Sequence, residues 1–258
     1  FDTDYLDTRG IAHASAPGSN ARSVAEYLFN ALYFMEALMG LAFRGRTLGI
    51  IGVGQVGSRV EGIARALGMD VLLCDPPLFD ATGDTKYLPL EDVLAGADII
   101  TLHVPITSSG PYPTYRMLDA SAMRAMGKGS VLMNASRGGV VDESALLALA
   151  GEGYFGGVVL DVFENEPSVN PDAVRAAHIA TPHIAGHSFD GKLLGTQMVY
   201  EALCSHLCWT PEWSYRDHLE PAGTLTANPA STVYDILLAA YDITEDHNTL
   251  LQLCAGSQ

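Results

Sequence analysis

An α/β protein built on a doubly wound parallel sheet is what this sequence predicts, on three observations. Short, almost continuously apolar runs recur from Thr47 onward, they alternate with segments of helical periodicity, and the first of them breaks into Gly52-x-Gly54-x-x-Gly57. Strands that read apolar throughout must be covered on both faces, which the helices between parallel strands provide. The expected strands are 48–53, 71–74, 99–103, 130–134, 158–161 and 179–180. The expected helices between them are 56–67, about 90–95, 120–126, 143–149 and roughly 172–177. Upstream, Asn20 is expected to cap a helix that runs to about Met39, with Val24, Tyr27, Leu28, Ala31 and Leu32 on one face. Residues 1–18 show only fragments, a strand at Ile11-Ala12 and a turn at Ala16-Pro17-Gly18.

The glycine turn gives the sheet a chemistry. A strand that feeds glycines and then a helix (Val60, Ile63, Ala64, Leu67) describes a Rossmann-type dinucleotide site. A pyrophosphate sits there against bare backbone N–H groups at the helix N-terminus. The residues expected to shape this turn are Gly52, Gly54 and Gly57. Gly54 would leave room for phosphate, and Gly57 would let helix and strand pack closely. A tight turn that needs its glycines for packing alone is the competing reading. Asp75, at the end of the next apolar run, tips the balance, because an acidic residue there accepts hydrogen bonds from ribose hydroxyls. It also repels a 2′-phosphate, and Pro76 to Asp80 offer no arginine to hold one. NAD is expected over NADP.

Composition narrows the partners. The chain has 258 residues, 48% of them hydrophobic, with a mean hydropathy of +0.16, enough for one large core or two modest ones. Thirty acidic residues against fourteen basic ones give a formal charge of −16, which argues against nucleic acid and anionic membranes. An anionic substrate must therefore be drawn in by local basic groups. The longest apolar region, 27–43, is interrupted by Asn30 and Glu36 and reads as a core helix, not a membrane span. The opening Phe-Asp-Thr-Asp shows no signal-peptide pattern, and a first residue of Phe suggests a missing N-terminus. Cys204 and Cys208 flank His206 at one helical turn, a pattern read as core thiols and not as a metal site. Reduced thiols in a cytoplasm and no bound metal are expected.

Three further stretches follow strands, so their residues arrive at the carboxyl edge of the sheet, where this architecture binds ligands. Asn134-Ala-Ser-Arg137-Gly-Gly-Val-Val-Asp142 brings an arginine whose planar fork suits a carboxylate. An arginine is more often a surface ion-pair partner, but flanking glycines indicate close backbone approach. Leu160-Asp161-Val-Phe-Glu-Asn-Glu166-Pro167 brings two acids, and Thr181-Pro182-His183-Ile-Ala-Gly186 brings an imidazole. A lone histidine is more often structural, yet a carboxylate beside it would hold its tautomer and tune it as a general acid/base. A nicotinamide, a carboxylate-binding Arg137 and a His183 backed by Glu166 describe hydride transfer at a 2-hydroxy acid.

The ordered set of the glycine turn, Asp75, Leu102-His103-Val104-Pro105, NASRGGVVD, LDVFENEP and TPHIAG resembles the D-isomer-specific 2-hydroxyacid dehydrogenases over nearly the whole chain from Asn20. The resemblance implies that Arg137 binds the substrate carboxylate and reacting oxygen, His183 takes the hydroxyl proton, and Glu166 orients His183. It implies that Gln55 and Val56 meet the pyrophosphate and that His103, Val104, Pro105, Ala135, Asp161 and Gly186 line the cofactor, with Val104, Ala135 and Asp161 on the nicotinamide side. Within the family, Ser15 to Ala21, the insertion Ser109-Gly-Pro-Tyr-Pro-Thr114 and the run His183 to Lys192 with Gly195-Thr196 are similar to the branch that serves vitamin B6 synthesis. That branch oxidises 4-phospho-D-erythronate to its 2-oxo acid. The tail Thr224-Leu-Thr, Val233-Tyr-Asp and Tyr241-Asp-Ile resembles the start of that branch's C-terminal dimerisation domain.

This gives an expected layout: 1–20 the remnant of an N-terminal substrate lid, 21–190 the NAD-binding domain, 191–216 a helix returning to the substrate lobe, and 217–258 a truncated dimerisation segment. The substrate lobe is incomplete, a linker at Cys208–Pro221 marks the boundary, and the tail carries a helix at 232–240. A homodimer is implied for the full-length protein. Two positions depart from the family pattern: His187 stands where a substrate-contacting tyrosine is expected, and Val104 where a threonine often lies. His187 could supply a cation for the phosphate. The alternatives are a dehydrogenase for 3-phosphoglycerate, hydroxypyruvate or glyoxylate, and a non-enzymatic NAD sensor like the family's corepressor relatives.

Overall fold

The structure is a computed structural model that describes residues 2–219 and 223–255. Phe1, Pro221 at the end of the expected linker and the closing Gly256-Ser257-Gln258 lie outside the described residues. Along the chain run α1 (Thr3–Thr8), α2 (Ala21–Met39), β1 (Thr47–Ile51), α3 (Gly57–Ala66), β2 (Asp70–Cys74) and α4 (Pro76–Thr82). Then come α5 (Leu90–Gly96), β3 (Ile99–Leu102), α6 (Ala120–Ala125), β4 (Val131–Asn134), α7 (Glu143–Gly151) and β5 (Gly157–Leu160). The last elements are α8 (Pro171–Ala176), β6 (Ile179–Ala180), α9 (Phe189–Leu207), α10 (Val233–Ala240) and α11 (Ile243–Ala255).

All six expected strands form, and every pairing is parallel, in the order β2-β1-β3-β4-β5-β6. Their apolar residues divide by alternation. Leu48, Ile50, Ile99, Val131, Met133, Val159 and Ile179 face a core closed by α2 and α3. Ile51, Ile100, Leu102, Leu132, Val158 and Leu160 face a second core closed by α5, α6, α7 and α8. This is why the strands read apolar at nearly every position. Three expected strands reach too far: Val53, His103 and Asp161 lie past the last ladder positions, in the loops that form the rim.

Several local expectations are corrected. No strand forms at Ile11-Ala12; the nearby ordered element is α1, capped by the Asp2 carboxylate, which accepts from Tyr5 N at 2.9 Å. With no strand alongside to complete a ladder, the local cap decides the conformation. Asn20 does occupy the N-cap position of α2, but its side chain makes no capping hydrogen bond, since its backbone (φ −102°, ψ 5°) is not the extended one a cap uses. Cys204 is buried as expected, whereas Cys208 is exposed at the left-handed C-cap of α9 (φ 56°), where the helix has turned away from the core.

Besides α1, the helices α4 and α11 have no counterpart in the sequence expectations. The Pro76-Pro77 pair reads as a break, but proline is tolerated in a first helical turn, where the missing N–H is not needed. Asp75 completes that turn: its Oδ1 accepts from Leu78 N at 3.0 Å. At the other end, α11 packs on α8 and β6, and buries Ile243 and Leu250 in the sheet's two cores. The Ala180 amide of edge strand β6 donates to His247 Nδ1 of α11 at 3.0 Å. α10 packs against α2.

Candidate active site

The chain crosses from β2 over β1 to β3, so the direction of winding reverses beside β1, and a crevice opens at the carboxyl ends of these strands. Gly52 leaves β1 with φ +88°, and a Cβ there would lie 2.7 Å from the His103 carbonyl oxygen, so the turns after β1 and β3 touch. A Cβ on Gly57 would run into the carbonyl oxygen of Gly52. Gly54 is different, because a Cβ there would meet no atom within 4 Å. Packing explains two of the three glycines. The third leaves its space to something outside the protein, which is what a bound pyrophosphate requires.

Asp75 ties this turn to β2. Its Oδ2 accepts from Val53 N at 2.7 Å while Oδ1 caps α4. Each carboxylate oxygen retains a second acceptor site, so a ribose hydroxyl can still be bound. Asp75, Gly52 and Gly54 line a cavity of about 670 Å³. The Ser109–Thr114 insertion closes its far side through Pro111, Tyr112, Pro113 and Thr114, and the Tyr112 hydroxyl donates to Asp80 Oδ2 at 2.8 Å. A second cavity, about 710 Å³, is lined by Gln55, Val56, Ala135, Arg137, Asp161, His183, Gly186 and His187. His103, Val104 and Pro105 line both, so the two are halves of one cleft along the rim. Of the residues expected at the site, only Gly57 and Glu166 line neither half; they stand behind the residues that do. Burial pushes the His103 pKa down to about 3, so that ring is neutral where the halves meet, with Nε2 3.1 Å from Thr101 Oγ1.

The candidate reacting groups, Arg137, Glu166 and His183, are carried by the loops that follow β4, β5 and β6, which contact one another. Asn134 closes the first loop: Oδ1 accepts from Ser136 N at 3.1 Å and Ser136 Oγ at 2.9 Å, and Nδ2 donates to the Arg137 carbonyl at 3.0 Å. A Cβ on Gly138 would run into the Phe163 carbonyl group, so this loop lies directly on the next one. Arg137 is exposed to the cavity and spends one donor on the Ser136 carbonyl, 2.6 Å away. It makes no ion pair among the described residues. Its fork therefore keeps donors for an anion.

Glu166 accepts from Phe163 N through Oε1 at 2.9 Å and from His183 Nδ1 through Oε2 at 2.8 Å. That contact places the imidazole proton on Nδ1 and leaves the Nε2 lone pair to take a proton. His183 has φ +58°, a left-handed conformation that costs a non-glycine residue about 1–2 kcal/mol. Asp161 holds it there. The buried carboxylate accepts from Thr181 Oγ1 (2.6 Å) and Ile184 N (2.8 Å) through Oδ1, and from Ala185 N (2.9 Å) through Oδ2. The Asp161 carbonyl accepts from His183 N at 2.8 Å. Burial pushes the Asp161 pKa up, and the bonds from Thr181, Ala185 and Ile184 pull it back. Because Thr181 spends its only proton on Asp161, the Tyr27 hydroxyl from α2 must donate to Thr181 Oγ1, 2.6 Å away.

Sequence reasoning did not foresee Tyr27, Thr181 or Lys192 at this site. Lys192 Nζ, in the first turn of α9, lies 2.8 Å from His187 Nε2 and lines the same cavity as Arg137 and His183. A signal for it was present: a lysine in a first helical turn opposes the helix dipole and asks for a reason.

Residues 21–185 match the family model described as D-isomer specific 2-hydroxyacid dehydrogenase, NAD binding domain. The chain belongs to this family. Its sheet domain is the NAD-binding domain, and NAD is its cofactor. Among curated relatives, an erythronate-4-phosphate dehydrogenase of Salinibacter ruber is 48% identical over 225 residues, 86% of this chain and 57% of that protein. One of Proteus mirabilis is 45% identical over 206 residues, 80% of this chain and 55% of that protein. The chain thus spans a little over half the length of these relatives. Among solved structures, a glyoxylate reductase from Paecilomyes thermophila matches with a TM-score of 0.64 at 26% identity, over 80% of this chain and 68% of that one. A D-lactate dehydrogenase from Aquifex aeolicus, complexed with NAD and lactic acid, matches with a TM-score of 0.57 at 26% identity, over 81% and 73%. Among the described residues no helix is long and apolar enough to cross a membrane, and no cluster of His, Cys, Asp and Glu suits a metal ion.

Proposed function

We propose that the whole protein oxidises 4-phospho-D-erythronate to its 2-oxo acid with NAD, in the synthesis of pyridoxal phosphate. The observation that carries the reaction type is the 2.8 Å Glu166–His183 pair beside the cavity that Arg137 lines. Bound NAD would supply the hydride acceptor. Gly54, Gln55 and Val56 would hold its pyrophosphate and Asp75 its ribose. Val104, Ala135, Asp161 and Gly186 would lie along the nicotinamide, with His103 and Pro105 between the halves of the cleft. Arg137 would grip the substrate carboxylate with two charge-assisted hydrogen bonds and polarise the reacting oxygen. His183 Nε2 would take the hydroxyl proton, and the Glu166 carboxylate would stabilise the imidazolium that results.

The substrate is read from the relatives, whose name is erythronate-4-phosphate dehydrogenase at 45–48% identity. In this reading 1–20 ends a substrate lobe, 191–216 returns to it, 217–258 begins a dimerisation segment, and the enzyme is a cytoplasmic homodimer. Steady-state assays of the full-length protein with NAD and 4-phospho-D-erythronate, 3-phosphoglycerate, hydroxypyruvate or glyoxylate test it. Preference for any of the other acids rejects the substrate. His183→Ala should lower turnover by about a hundredfold or more. Unchanged turnover would remove the acid/base role, and NAD-dependent partner binding without any turnover would identify a sensor.

A further inference from the structure

The cavity that holds the reacting groups carries more positive charge than a simple hydroxy acid needs. It is lined by Arg137 and Lys192, while the one carboxylate among its described lining residues is Asp161. Both Asp161 oxygens are already committed to Thr181, Ile184 and Ala185. Lys192 makes no ion pair among the described residues; its contact is with an imidazole, His187 Nε2, at 2.8 Å. An ammonium can only donate, so His187 Nε2 is the acceptor and that ring is neutral, with its proton on Nδ1. The pair therefore offers one full charge and several N–H donors. It does so in a chain of net charge −16, whose field repels an anion, so a local cation beside the cavity is what would let one enter.

We infer that Lys192 and His187 form a second anion subsite, one that takes the phosphate of a phosphorylated 2-hydroxy acid while Arg137 takes its carboxylate. This rests on the proposed dehydrogenase reading and adds to it the group that selects the phosphate. A carboxylate monoanion is fully answered by the Arg137 fork. The lysine comes from a different element, the first turn of α9, where the positive end of the helix disfavours a cation but adds to the attraction for an anion. A phosphate dianion satisfies both groups at once: it accepts from the remaining N–H donors of the Lys192 ammonium and from the Nδ1–H of His187.

The test uses the full-length protein and its Lys192→Met and Lys192→Arg variants, assayed with 4-phospho-D-erythronate and with D-erythronate. Lys192→Met should raise KM for the phosphorylated acid by roughly tenfold to a hundredfold, the range for a lost hydrogen bond to a charged group, with kcat little changed. D-erythronate should be oxidised equally poorly by both proteins, and Lys192→Arg should recover most of the loss. Inorganic phosphate, used as the probe, should compete with the phosphorylated acid in the wild type and lose that effect in Lys192→Met. Equal losses on both acids would make Lys192 a support for the site in general and overturn the subsite. A phosphate preference that survives in Lys192→Met would overturn it too and leave the dehydrogenase reading standing. A wild type indifferent to the phosphate would reject the substrate reading and the subsite together.

Discussion

Gly54 and Gly57 belong to one motif, yet the structure gives them different physical duties. Gly57 has no space for a side chain, because a Cβ would strike the Gly52 carbonyl oxygen, while Gly54 faces open space. Gly57→Ala should therefore destabilise the fold by about 1–3 kcal/mol, as overpacking against backbone does. Gly54→Ala should leave thermal stability unchanged within about 1 kcal/mol, since a compatible Gly→Ala change reduces unfolded-state freedom. It should instead weaken NAD binding at least tenfold. Thermal denaturation and NAD titration of the two variants check the split; a stable Gly54→Ala protein that binds NAD normally would return the motif to packing alone. The motif's spacing anticipates this division, room for phosphate at Gly54 and close helix–strand packing at Gly57, but not the contact of Gly52 with the His103 carbonyl, which exists only once β1 and β3 pair. Arg137, Glu166 and His183 were also legible: each sits in a short run directly after a strand, and parallel topology sends all such runs to one rim. Tyr27 was not legible, since its partner Thr181 is 154 residues away and the pairing exists only once α2 packs on the sheet.

Among the elements, the existence of the strands and their parallel pairing were readable because alternating β and α segments leave few topologies. The ends were harder to place, because Val53, His103 and Asp161 continue the apolar or strand-like run but turn into the rim. Helix α11 escaped because Glu245, Asp246, His247 and Asn248 obscure the two core positions, Ile243 and Leu250, that the fold uses. Its contact with the sheet edge carries a pH dependence. His247 Nδ1 accepts a hydrogen bond from the Ala180 amide, so Nδ1 must stay unprotonated. Burial is the main reason its pKa is lowered; the Ala180 amide contact and the nearby His178 are smaller influences. A folded pKa below the unfolded value of about 6.5 favours the native state above that pH and progressively penalises it below. Asp161 works in the other sense, since its raised pKa lets the folded state gain protons first on acidification. The two sit in different places, so a local probe separates them. Amide exchange in 243–255 and at Ala180 should quicken between pH 7.5 and 5 relative to the central strands. Uniform exchange across the sheet over that range would dissociate α11 from the His247 contact.

For the molecule as a whole, charge and topology set which dinucleotide it accepts. The cleft crosses the rim from Asp75 at one end to Arg137, His183 and Lys192 at the other, so its acidic end suits ribose hydroxyls and its basic end an anionic acid. A 2′-phosphate would bring a dianion to the Asp75 carboxylate in a chain that already carries −16, with no arginine among Pro76 to Asp80 to offset it. NAD at a hundred times its dissociation constant should stabilise the chain by about 2.7 kcal/mol. For a domain of this size that is a rise in Tm of about 5–10 °C. NADP at the same concentration should give a small fraction of that rise. Asp75→Asn keeps an oxygen to cap α4 through Leu78 N but removes the charge and the acceptor for the Val53 amide, so it should lower the stability of the free chain and narrow the gap between the two dinucleotides. Thermal shifts of the wild type and this variant with each nucleotide decide the matter: equal shifts in the wild type would mean that the carboxylate serves α4 and the Val53 amide, and that discrimination lies elsewhere in the cleft.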